Sequence, residues 1–74
     1  MVYPVYRKNS IGNSVYKIET DTKFIEKQRI GSNILIHEVE AKQYPEMLLI
    51  NEMIECKPNT FEEISEEEWE GFGE

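Results

Sequence analysis

Residues 14–41 read SVYKIETDTKFIEKQRIGSNILIHEVEA, and this segment contains the strongest indications of the fold. It contains three runs rich in Val, Ile, Tyr, Phe and Thr, residue types that favour strands. The runs are 14–20, 23–30 and 33–41. A tight turn at 20–22 and a short loop at 31–33 separate them, and connections of that length join antiparallel neighbours. The stretch therefore predicts three consecutive antiparallel strands.

A fourth strand is predicted upstream, at 2–8, because the segment 9–14 that follows it is rich in Asn, Ser and Gly, which favour loops. The four strands then form a meander. Polar and apolar residues alternate only moderately, so we expect one face of the sheet to be covered, as is common for antiparallel sheets. The run 33–41 is the most apolar and carries apolar residues on both faces. It predicts a central strand or a strand that touches a subunit partner.

After Tyr44 the hydrophobic period changes to that of a helix. Pro45 suits a first helical turn, since its φ is fixed and its missing N–H would have no partner there. Five apolar residues fall in one arc of the helical wheel. They are Met47, Leu49, Ile50, Met53 and Ile54. Leu48 lies outside the arc, at the margin of the buried face or exposed, and an exposed Leu48 favours an interface. A strand across 47–50 is the alternative, because short apolar runs are ambiguous.

The C-terminal part predicts a short strand at 60–64 and a short helix. Ser65 and Glu68 have the spacing of a capping box, in which the two residues exchange side-chain to backbone hydrogen bonds. A helix from Glu66 to about Phe72 would bury Trp69 and Phe72. The expected fold is a single α+β domain over residues 1–74, a four-stranded antiparallel β-meander followed by a helix, a short strand and a short C-terminal helix.

Charge is divided unequally between the two halves of the chain. Residues 1–37 carry six basic and three acidic side chains, a net of +3, and residues 38–74 carry two basic and twelve acidic ones, a net of −10. Together they give the net charge of −7. Summed surface charge steers association with charged partners and says little about fold.

The acidic C-terminal segment suggests a partner-binding surface. Seven of its last thirteen residues are glutamates, namely Glu62, Glu63, Glu66, Glu67, Glu68, Glu70 and Glu74. Such a surface could imitate a phosphate backbone and inhibit a nucleic-acid-binding protein. The alternative is a solubilising face whose acids also favour the N-terminus of the helix. The candidate partner-binding residues are Glu66, Glu67, Glu70 and Leu48.

A weaker hypothesis places single-stranded nucleic acid on the N-terminal sheet, where tyrosines interleave with basic side chains. The candidate contacts are Tyr3, Tyr6, Arg7, Lys8, Tyr16 and Lys17. Bases stack on exposed aromatic rings and phosphates pair with basic groups. The net charge of −7 disfavours this partner.

No catalytic, cofactor or metal site is predicted. His37 and Cys56 are the only residues of their types, and a nucleophilic dyad would need them adjacent in space. Glu38 and Glu40 share a strand face, but neither a calcium loop nor zinc spacing surrounds them. The glycines form no phosphate-binding loop. We therefore expect a chain that is not an enzyme.

A small domain buries a limited core, and a lone cysteine cannot form an internal disulfide, so a second subunit is the remaining source of stability. The leading hypothesis is a cytoplasmic protein-interaction or accessory factor that forms a homodimer, with a phage or mobile element as a fitting origin. The acidic nucleic-acid mimic and the weak single-strand binder are the alternatives. Nothing in the sequence indicates a membrane segment or a small-molecule substrate.

Overall fold

A computed structural model describes residues 2–73, which form a five-stranded antiparallel sheet with a helix on each face. The elements in chain order are β1 Val5–Asn9, β2 Ser14–Thr20, β3 Lys23–Ile30, β4 Asn33–Glu40, α1 Tyr44–Glu55, β5 Phe61–Glu63 and α2 Glu66–Gly71. The predicted α+β class and the predicted order of elements are confirmed.

The spatial order of the strands is β4-β3-β2-β1-β5. The first four strands form the predicted meander, and the bounds of β2 and β3 agree with those expected from the sequence. The short strand β5 returns antiparallel to β1, with Phe61 opposite Asn9 and Glu63 opposite Arg7. The sheet is therefore one strand wider than the meander, and β1 is an interior strand.

The main core lies between the sheet and α1. Ile18 of β2 faces Phe24 of β3 across the strand pair, and both are buried. Ile50 and Met53 of α1 are fully buried in the same cluster. Tyr16 belongs to the same cluster, and its ring packs edge-on against the rings of Phe24 and Phe61. The strands β2 and β3 and the helix α1 thus share one continuous apolar core.

The opposite face of the sheet is also covered, so the expectation of a single covered face was wrong. Trp69 of α2 is only 6% exposed, and its ring centroid lies 6.3 Å from that of Tyr6. Val15 on this face of β2 is 2% exposed. The sequence pattern did not predict this second covered face because lysines occupy part of it. The aliphatic stems of lysines can cover apolar surface while their charged ends remain in water.

Residues 44–55 form a helix, so the alternative of a strand across 47–50 was wrong. Pro45 lies in its first turn, as predicted. The helix ends at Cys56, whose φ of 52° is left-handed and whose backbone N–H donates to the Glu52 carbonyl. Within residues 2–73, neither helix has the length and apolar character needed to span a bilayer.

Candidate functional site at the edge of the sheet

Strand β4 lies at an edge of the sheet, so the expectation of a central strand was wrong. A two-residue turn with Gly31 at φ 62° returns the chain directly onto β3, and β4 pairs with β3 along its whole length. Among residues 2–73, no strand pairs with the other side of β4. Contact of this strand with a subunit partner, the other expectation, stays a prediction.

The open side of β4 presents main-chain hydrogen-bonding groups. Just beyond the strand, the Ala41 N–H donates to the Thr22 carbonyl at 2.6 Å. Hydrogen-bonded pairs alternate along an antiparallel ladder, so the odd-numbered residues of β4 bond to β3. The N–H and C=O groups of the even-numbered residues Ile34, Ile36 and Glu38 therefore point away from the sheet.

The N-terminal half of β4 also exposes apolar side chains. Ile36 is 63% exposed and Leu35 is 41% exposed, on opposite faces of the strand. Proteins usually protect edge strands by shortness, charge, proline or bulges. Strand β4 is eight residues long, and its acids Glu38 and Glu40 lie only toward its C-terminal end. Its apolar half is thus an open edge to which another strand can bind.

The other edge of the sheet, strand β5, is better protected against strand pairing than β4. Strand β5 has only three residues, and two of them are glutamates. Glu62 lies 3.4 Å from the Lys8 ammonium in an ion pair with β1. A short, acidic edge offers little main chain to a second strand. The two edges therefore differ, and β4 is the one suited to pairing.

The C-terminal segment covers part of β4 at Ile34. Gly73 has a φ of 90°, and a Cβ atom built there would lie 2.5 Å from Cγ1 of Ile34. The main chain at this glycine thus packs directly on the Ile34 side chain. Ile36 follows two residues later on the same face and remains uncovered.

Leu48 on α1 is 43% exposed, so of the two alternatives, the margin of the buried face or an exposed position, it takes the exposed one. Its neighbours Tyr44 and Met47 are also exposed, at 73% and 40%. The first half of α1 therefore has an apolar outer side, as expected if Leu48 contributes to an interface. The structure assigns no partner to it.

The acidic candidates lie on α2 and are solvent-exposed. Ser65 caps the helix by accepting a hydrogen bond from the Glu68 N–H at 3.1 Å, which is one of the two bonds of the predicted capping box. Glu66 accepts a hydrogen bond from the Tyr6 hydroxyl at 3.1 Å. Desolvation raises the pKa of the Tyr6 phenol, and the Glu66 carboxylate raises it further. Glu67 and Glu70 face solvent, and Glu74 lies outside the described residues.

The six candidates for nucleic-acid contact divide between the two faces of the sheet. Tyr3, Arg7 and Tyr16 lie on the face that α1 covers, and the last two are buried. Tyr6, Lys8 and Lys17 lie on the opposite face, with Tyr6 directly across from Lys17. Tyr6 and Lys8 already bind Glu66 and Glu62. The structure therefore does not bring the six side chains onto one surface.

His37 and Cys56 lie at opposite edges of the sheet. His37 is in β4, opposite Glu26, while the Cys56 thiol donates to the carbonyl of Phe61 in β5. Four strand spacings separate β4 from β5, a distance on the order of 19 Å. A Cys–His dyad is excluded by this geometry.

Among residues 2–73, no group of three or more His, Cys, Asp or Glu side chains is placed to hold a metal ion. The same residues form no pocket. The candidate surfaces of the described chain are therefore the open edge of β4, the apolar outer side of α1 and the acidic side of α2.

Ile36 was absent from the candidates derived from sequence. Two features of the sequence could have indicated Ile36. The last strand of a meander lies at its edge unless a later strand pairs with that strand. The run 33–41 is also apolar on both faces. Later pairing with the 60–64 segment was an open alternative that only the structure resolves.

Comparisons with known proteins return no match, whether with protein-family models, with curated proteins or with solved structures.

Proposed function

We propose that this chain is a non-enzymatic protein-interaction module that binds a strand of its partner along the open edge of β4. The observation that carries the proposal is the combination, in one segment, of free main-chain groups and the 63% exposed side chain of Ile36. Strand addition gains affinity from main-chain hydrogen bonds and specificity from alternate side chains. A reducing compartment such as the cytoplasm fits its single cysteine.

A matched pair of variants tests this proposal in an affinity capture from cells of the source organism. Ile36→Lys places an ammonium in the binding edge, whereas Ile11→Lys places one at an 81% exposed position in the loop between β1 and β2. The wild type and Ile11→Lys should retain the same specific partner, and Ile36→Lys should lose it. Equal capture by both variants, with far-ultraviolet circular dichroism showing intact folds, would contradict the proposal.

We infer a second candidate function, an acidic mimic of nucleic acid, from the solvent exposure of Glu67 and Glu70 on α2. Its test is reversal of charge at Glu66, Glu67 and Glu70, with reversal at Glu52 and Glu55 on α1 as the control. Capture of a nucleic-acid-binding protein should be lost only with the α2 set. If the α2 set still captures that protein, mimicry is ruled out.

A further inference from the structure

We propose that the strand that binds the β4 edge belongs to a second copy of this chain, in an antiparallel β4–β4 pair around a twofold axis at Ile36. This inference rests on the proposed function, because both use the open edge of β4. It adds the identity of the partner and the register of the pair. Each copy would supply the same surface, as a twofold interface requires.

Hydrogen bonding limits the register of such a pair. The free main-chain groups belong to even-numbered residues, so these must face one another across the axis. With Ile36 opposite Ile36 of the second copy, Ile34 lies opposite Glu38 of that copy. Every free N–H and C=O group from Ile34 to Glu38 then has a partner. The two five-stranded sheets join into one continuous sheet.

The side chains favour this register over the one that opposes Ile36 to Glu38. Ile36, exposed in the single chain, packs against its own copy at the axis. Leu35 lies opposite His37 on the other face. A shift of two residues would instead oppose Ile36 to Glu38 and place two His37 side chains against each other. Apolar contact of Ile36 with Ile36 at the centre favours the first register over this shift.

Charge complementarity supports the same arrangement. Arg29 of β3 lies directly opposite Ile34 in the sheet. In the proposed pair Glu38 of the second copy lies on the far side of Ile34, in the same row and on the same face. Strand β3 of one copy and β4 of the other are then about 10 Å apart, two strand spacings. The Arg29 guanidinium lies 5.0 Å from the centroid of the Phe72 ring, and the long Glu38 side chain can extend toward it. The twofold axis repeats the attraction, so Glu38 of each copy approaches Arg29 of the other.

Disulfide trapping tests the register. In a Cys56→Ser background, Ile36→Cys would place two thiols across the axis. Hydrogen-bonded antiparallel pairs have Cα atoms about 5.5 Å apart, within the range of a disulfide. Glu38→Cys is the matched control, because its two copies would be offset by four residues, about 13 Å along the strand. Oxidation should give a covalent dimer with Ile36→Cys and none with Glu38→Cys.

Sedimentation of the unmodified chain provides a second measurement that does not depend on the cysteine variants. The wild type should sediment as a dimer, and Ile36→Lys should weaken dimerisation about 10-fold or more, because it opposes two ammonium groups at the axis. A dimer that fails to crosslink at Ile36, or that crosslinks equally at both positions, would overturn the β4–β4 pair. A wild type that remains monomeric at high concentration would overturn it as well.

Self-pairing and partner binding at the β4 edge can fail separately. A monomer that captures a different protein, and loses it on Ile36→Lys, excludes self-pairing but retains the binding edge. If the chain is monomeric and Ile36→Lys captures its partner as well as the wild type does, both proposals fail.

Discussion

The ammonium of Lys27 donates a hydrogen bond to the main-chain carbonyl of Trp69 at 2.8 Å and lies 4.5 Å from the centroid of the Trp69 indole ring. One basic side chain of β3 thus binds both the main chain near the end of α2 and the aromatic face of its buried residue. A cation beside an aromatic ring contributes about 0.5–2 kcal/mol, depending on its solvation. The basic half of the chain therefore helps to hold the C-terminal helix on the sheet.

Trp69→Ala should strongly destabilise the fold, because it removes the principal buried side chain of α2. Large-to-small changes of this type cost about 3–5 kcal/mol, and a chain of this size has a total stability of roughly 4–11 kcal/mol. Urea unfolding followed by far-ultraviolet circular dichroism measures the loss. Trp69→Phe keeps an aromatic ring and should lose less. Equal unfolding midpoints for wild type and Trp69→Ala would show that α2 does not contribute to the core.

Arg7→Met should also be strongly destabilising, although Arg7 is charged. Its Nε atom donates a hydrogen bond to the Met53 carbonyl at 2.9 Å, and Arg7 is only 8% exposed. Arg7 thus provides a hydrogen-bond donor to a carbonyl in the last turn of α1. Removing the donor leaves a buried carbonyl without a partner, which costs about 1–3 kcal/mol.

The control for this variant is Lys8→Met on the same strand. Lys8 forms a partly exposed ion pair with Glu62, and such pairs contribute about 0–1 kcal/mol. Comparable losses for the two variants in urea unfolding would contradict the capping role of Arg7.

Ser65→Ala should cost about 1 kcal/mol, the usual contribution of an N-terminal cap. The Ser65 hydroxyl accepts from the Glu68 N–H, so its removal leaves a helix N–H without its protein acceptor. Ser65→Asp should retain most of the stability, since a carboxylate can cap the same N–H. A Ser65→Ala variant as stable as the wild type would show that the cap is dispensable.

The stability of the chain should fall at alkaline pH because of Tyr16. Burial raises the pKa of the Tyr16 phenol, and the negative charge of Glu26 raises it further. Below about pH 10 the phenol is protonated in both folded and unfolded chains. As pH rises from about 10 toward the raised pKa, the unfolded chain releases its proton first, so the free energy of unfolding decreases.

Urea unfolding at pH 9 and pH 11 checks this prediction. Tyr16→Phe should lose less stability between the two values than the wild type, whereas Tyr44→Phe, at a 73% exposed position, should behave like the wild type. Tyr6, whose pKa is also raised, contributes equally to all three proteins. An identical pH dependence for wild type and Tyr16→Phe would contradict a raised Tyr16 pKa.

Sequence patterns predicted most of the elements and missed how two of them combine. The β-branched runs and the Gly31 turn define β2, β3 and β4, and Pro45 with the arc of Ile50 and Met53 defines α1, because these signals are local. The pairing of β5 with β1 is not local, since three residues carry too little pattern to choose a neighbour. That pairing, together with the order of the meander, places β4 at an outer edge.

The candidate functional site was likewise predicted from local patterns only in part. Exposure of Glu67 and Glu70 follows from the helical pattern around Trp69, and it was expected. The separation of Arg7 from Lys8 onto opposite faces follows from strand alternation. The exposure of Ile36 depends on which strand is outermost and on the packing of Gly73 against Ile34, and both are set by tertiary packing.

Amide hydrogen exchange in β4, measured residue by residue by NMR at low and high protein concentration, tests the pairing of β4 with a second copy of the chain. The odd-numbered residues Leu35 and His37 bond to β3 and should be protected at both concentrations. The amides of Ile34, Ile36 and Glu38 should exchange rapidly in the dilute monomer and become protected as the β4–β4 pair forms. Rapid exchange of these three amides at every concentration, beside protected Leu35 and His37, would rule out the β4–β4 pair.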